Sequence, residues 1–148
     1  MAVVDIYRCR WVVEEFFKAL KTGCAFETRQ LESFHALSNA LSMFIPIAWK
    51  MLLARSLTRT SNRAPPTTLL TPTQLQLLAI RFELTTSIAT AAEGALLVAK
   101  LGGHLTRNGP PGWQTLARGF ESLMLMHVGW LAALRSQNAS KPAAERCE

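Results

Sequence analysis

Val4-Asp5-Ile6-Tyr7-Arg8-Cys9-Arg10-Trp11-Val12-Val13-Glu14-Glu15-Phe16-Phe17-Lys18-Ala19-Leu20-Lys21-Thr22-Gly23 is the stretch whose reading decides the rest of the chain. At about 100° per residue, Tyr7, Arg10, Glu14, Lys18 and Lys21 share one narrow stripe, while Cys9, Val12, Phe16, Ala19 and Leu20 fall opposite. The segment predicts an amphipathic helix, begun by Asp5 as N-cap and closed by Thr22-Gly23. Its back lies on a core; its front is one carboxylate among cations. Glu15 falls off the stripe. One reading of that front is a solvated face with i,i+4 pairs, Arg10 to Glu14 and Glu14 to Lys18. The other is a site in which Glu14 binds a metal while the cations hold phosphates, the mixture that two-metal phosphoryl transfer requires. Periodicity alone leaves both open.

Working outward, helical patterns continue. Leu31, Phe34, Leu37, Leu41, Phe44, Ile45, Ala48, Met51 and Leu52 predict one long helix kinked by Pro46. From Ser56 to Thr71 the composition shifts to Ser, Thr, Asn and Arg and carries Pro65-Pro66, the mark of a linker and of a domain boundary. Thr71-Pro72-Thr73-Gln74 is a capping box with proline at the first helical position, and a short helix follows with Leu75, Leu78 and Phe82. A further helix is predicted from about Thr86 to Leu101, ended by Gly102-Gly103, then a loop through Asn108-Gly109-Pro110-Pro111-Gly112. The last helix runs from Trp113 to about Arg135, and the polar tail after it is predicted to be frayed.

Composition sets the outer limits. The chain has 148 residues, a 49% hydrophobic fraction and a formal net charge of +6. It is long enough to bury a core and too apolar for a disordered tail. Excess positive charge favours an anionic partner, nucleic acid before a membrane surface. Three cysteines (Cys9, Cys24, Cys147) without a Cys-x-x-Cys pair, and three scattered histidines, exclude a disulfide framework and a zinc ribbon. Asp5, Arg8 and Arg10 interrupt any apolar leader. Leu41 to Ala54 is too short to span a membrane and carries Pro46 and Lys50. The expectation is a soluble, cytoplasmic protein with no membrane partner.

Tyr7-x2-Arg10-x3-Glu14-x6-Lys21, with its flanking residues, resembles the Tyr-Arg-Glu-Lys signature of the bacterial cut-and-paste DDE transposases of the transposon-five type. Leu70-Thr71-Pro72, Leu77-Leu78, Leu101-Gly102-Gly103, and Trp113-x-x-Leu116 followed by Gly119 resemble that family's C-terminal dimerisation domain. The resemblance implies that Glu14 is the third catalytic carboxylate, a ligand of Mg2+ or Mn2+. It implies that Tyr7, Arg10 and Lys21, with Lys18 beside them, hold the backbone of transposon-end DNA. The family's other two catalytic residues are aspartates on upstream strands of a ribonuclease-H-like core. Asp5 is the single aspartate of this chain, so the chain reads as the C-terminal portion of a transposase, catalytically incomplete alone. The expected organisation is mainly α: remnant helices of the catalytic core over 1–57, a linker over 58–70, a helical dimerisation domain over 71–137 and a disordered tail over 138–148.

The last helix carries two stripes. Trp113, Leu116, Phe120, Leu123, His127, Trp130 and Leu134 form a heptad seam. Gly119, Ser122, Met126, Gly129 and Ala133 lie about 100° away and are mostly small. A helix apolar on two sides is buried on two sides, either as the central helix of a small bundle or with a partner. The partner reading predicts a dimer of this chain, or a pair with full-length transposase, through the small-residue stripe. The alternatives are a dimerisation module that inhibits intact transposase, or a decayed fragment of a mobile element.

Overall fold

The computed structural model describes residues 2–59 and 63–140. Among them are five α-helices and no strand, the mainly α architecture expected: α1 Ala2–Lys18, α2 Phe34–Arg59, α3 Pro72–Arg81, α4 Ala91–Leu101 and α5 Trp113–Ser140. The helix α1 is already under way at Ala2, so Asp5 lies inside it and is not its cap. Nor does α-geometry reach Lys21. Ala19–Gly23 forms a π-helical turn, closed by the Cys24 N–H donating to the Ala19 carbonyl at 3.1 Å. The wide turn buries Ala19 and Leu20 and brings Gly23 against α2. A Cβ at Gly23 would stand 2.6 Å from the Met51 Cε, so a larger residue there requires the end of the Met51 side chain to shift.

The Ser33 Oγ accepts the Ala36 N–H at 3.1 Å, and α2 then continues as one helix through Pro46. Its Ala48, Met51, Ala54 and Leu57 recur every third residue and are buried, with α4 packed against α2. Two of those four are alanines, which lets the helices come close. The helix is longer than the Leu41–Ala54 stretch read from the sequence. By length and composition it is long and apolar enough to cross a membrane, with a hydropathy of 1.4 over its most apolar window. Apolar residues lie on both of its sides: Met51 faces the core, while Met43 and Trp49 are exposed.

The predicted linker is tied into the fold. The Ala91 N–H donates to the Ala64 carbonyl at 2.9 Å, and one buried core holds Met51 and Leu57 from before the linker with Leu78, Val98, Leu116 and Leu123 from after it. The capping box forms as read: Thr71 Oγ1 accepts the Gln74 N–H at 3.3 Å and Gln74 Oε1 accepts the Thr71 N–H at 3.1 Å. Helix α4 begins later than the expected Thr86. Thr90 caps it, its Oγ1 accepting the Glu93 N–H at 3.2 Å. The helical part of the expected tail reaches Ser140; residues 141–148 lie outside the described residues.

Two glycines make the crossing of α4 and α5. A Cβ at Gly119 would run into the Val98 carbonyl, and one at Gly102 into the Thr115 carbonyl. Each glycine receives the backbone of the other helix. Leu116 and Leu123 of the heptad seam are fully buried, Phe120, His127 and Trp130 are half-buried, and Leu134 is exposed.

Candidate nucleic-acid interface

Helix α1 presents its polar stripe outward. Tyr7 is 71% exposed. The Arg10 guanidinium lies 6.0 Å from its ring centroid and its Nε donates to Glu14 Oε1 at 3.3 Å. Tyr7, Arg10 and Glu14 therefore stand together on successive turns of one helix. Lys18 and Lys21 do not join them. The Lys18 Nζ turns to Glu15 Oε1 at 3.4 Å, and Lys21, carried round by the π-turn, pairs with Glu27 at 2.7 Å. Each of these cations has an acidic partner. The pairs are exposed on at least one side, and such pairs contribute about 0–1 kcal/mol, so a polyanion can displace them at little cost.

The two neighbouring glutamates differ sharply. The Glu14 side chain is half exposed, whereas that of Glu15 is 8% exposed. Glu15 Oε2 lies 3.8 Å from Arg55 Nε and 3.9 Å from Arg59 Nη1, so one carboxylate joins α1 to two turns of α2. The Arg55 guanidinium also stacks 4.3 Å from the Trp113 ring centroid at the start of α5. Burial, and then the neighbouring Arg59, push Arg55 below its ordinary pKa, while Glu15 pulls the other way. Sequence reasoning missed this cluster. Its signal is Arg55 and Arg59 at i,i+4 on α2, a like-charge pair that needs a counter-charge.

The described residues do not make a donor set for Mg2+ or Mn2+. The Glu14 carboxylate is engaged by Arg10, and no group of three or more His, Cys, Asp or Glu side chains converges among them. Two-metal chemistry needs several carboxylates on one centre, and this face offers one.

The small-residue stripe of α5 divides. Gly119 is used inside the fold on Val98. Ser122 and Met126 are half-buried, Ala133 is exposed, and a Cβ at Gly129 meets nothing within 4 Å. Met124, Leu125, Val128 and Leu131 are also exposed on this half of the helix. Residues 2–46, which hold the whole Tyr7–Lys21 stripe and α2 as far as Pro46, match the family model described as the transposase DDE domain, so this part of the chain is similar to that domain.

Proposed function

We propose that this chain is part of a DDE transposase that contributes DNA-end backbone binding and dimerisation to transposition and does not cleave DNA alone. The observation that carries the reading is the exposed Tyr7–Arg10–Glu14 cluster on α1, within the segment similar to a transposase DDE domain. Arg10 is the phosphate anchor, with Tyr7 beside it; Lys18 and Lys21 exchange Glu15 and Glu27 for phosphate oxygens. Glu14 is the carboxylate that the complete active site would turn to a divalent cation. The partner is a second copy or a full-length transposase, met through the exposed part of α5 around Gly129 and Ala133. The exposed Met124, Leu125, Val128 and Leu131 on the same half-helix favour the second reading, a dimerisation module that pairs with intact transposase and inhibits it.

Binding to duplex DNA is expected to be weak and salt-sensitive, with log K falling against log salt with a slope of about −2 to −3 for two or three phosphate contacts. Arg10→Ala and Lys21→Ala should each make the slope shallower by about one. Affinity that ignores salt, or survives the double variant unchanged, counts against the assignment. In Mg2+ or Mn2+ the same protein should leave transposon-end DNA intact. Metal-dependent nicking that vanishes in Glu14→Ala would show a complete active site instead.

A further inference from the structure

Between α1 and α2 lies a cleft of about 260 Å3, walled by Trp11, Glu15, Leu52, Arg55 and Arg59. Its charges do not balance. Lys18, Arg55 and Arg59 surround one carboxylate, Glu15, at 3.4, 3.8 and 3.9 Å, which leaves two cations in excess among the described residues. The geometry is also incomplete. The Arg55 Nε is buried and makes no hydrogen bond. Neither guanidinium presents the two parallel N–H groups to Glu15 that a bidentate pair uses. Like charges four residues apart on a helix repel, and burial strengthens that repulsion because water no longer screens it. Arg59 lies at the open side, its guanidinium 6.0 Å from the exposed Trp11 ring. An anion with several acceptor oxygens answers the excess charge and the unused donors together, and the arginine fork matches phosphate.

We propose that Arg55 and Arg59, which wall this cleft, form a phosphate-binding site, with Lys18 outside the cleft lining on the other oxygen of Glu15. As a contact to DNA it rests on the reading of α1 as a DNA-binding face. Lys18 adjoins both, so a strand lying along Tyr7, Arg10 and Glu14 would place one further phosphate here and extend the interface from α1 onto α2. Glu15 orients the two guanidiniums and limits the site to net attraction for a single phosphate group.

The test reads arginine side-chain Nε–H resonances of the whole chain during titration with inorganic phosphate, against chloride at matched ionic strength. Arg55 and Arg59 resonances should move saturably with phosphate. The response should be lost in Arg59→Ala, weakened in Arg59→Lys, and kept in the Arg10→Ala, Lys21→Ala double variant. Arg59 is the more exposed arginine, and circular dichroism checks that its variants stay helical. Equal shifts in chloride, or a phosphate response that survives Arg59→Ala, overturn the site. A second arm measures duplex DNA. Arg59→Ala should weaken binding about 3–10-fold and make the salt slope shallower by about one, which identifies the DNA backbone as the source. Unchanged duplex affinity with an intact phosphate response leaves a site for free phosphate, which supports the site itself. A wild-type chain that binds no duplex removes the DNA reading of α1, and the phosphate titration still decides the cleft.

Discussion

Replacing Gly119 by alanine is expected to destabilise the fold by about 1–3 kcal/mol, although alanine is the better helix former by about 1 kcal/mol. The new methyl group meets the Val98 carbonyl of α4. A backbone atom cannot change rotamer, so α4 and α5 must move apart, and their separation loosens the core around Leu116 and Leu123. For a chain of this size each kcal/mol lowers Tm by about 2–4 °C. Thermal or urea unfolding followed by circular dichroism reads the loss; an unchanged or raised Tm would mean that the helices do not cross this closely. Gly129→Ala is the contrasting case. Open space surrounds Gly129, so a monomer should gain up to about 1 kcal/mol. In the dimer proposed above, Gly129→Glu or Ala133→Glu should weaken association while helicity is retained. Sedimentation equilibrium separates these results, and a wild-type monomer at tens of micromolar removes the support for a second copy on α5.

The second large effect is expected at Glu15, next to Glu14, the carboxylate proposed above for the complete active site. Glu15→Ala should cost about 2–4 kcal/mol, at or below the usual cost of breaking a buried ion pair because Arg59 remains partly in water. It leaves Arg55 and Arg59 facing each other between α1 and α2 and unties the two helices. Glu14→Ala removes only the exposed pair with Arg10 and should change stability by less than about 0.5 kcal/mol. Urea midpoints of the two variants compare them directly. Equal destabilisation by both, or a neutral Glu15→Ala, would show that the Glu15 cluster does not anchor α1.

The local rules of the chain were enough for most of the helices. Apolar periodicity made α1, α2 and α5 legible, Thr71-Pro72-Thr73-Gln74 marked the start of α3 to the residue, and Gly102-Gly103 marked the end of α4. These features depend on neighbours a few positions away. Thr90 with Glu93 carries the same kind of local signal for the start of α4, four residues after the expected Thr86. The stripe of Tyr7, Arg10 and Glu14 was equally readable, because one helix alone brings the three together. What lay beyond local pattern was decided by packing. The π-turn at Ala19–Gly23 sets Lys21 beside Glu27 and Gly23 against Met51 of α2, and both partners lie outside the helix whose pattern was read. Glu15 looked like a residue displaced from the stripe, yet Arg55 and Arg59 of another helix make it the buried link between α1 and α2. A stripe of small residues on α5 likewise reads as one surface on a helical wheel. Only the crossing with α4 assigns Gly119 to the interior and leaves Gly129 in open space, since close approach of two backbones is a property of the pair of helices and not of either sequence alone.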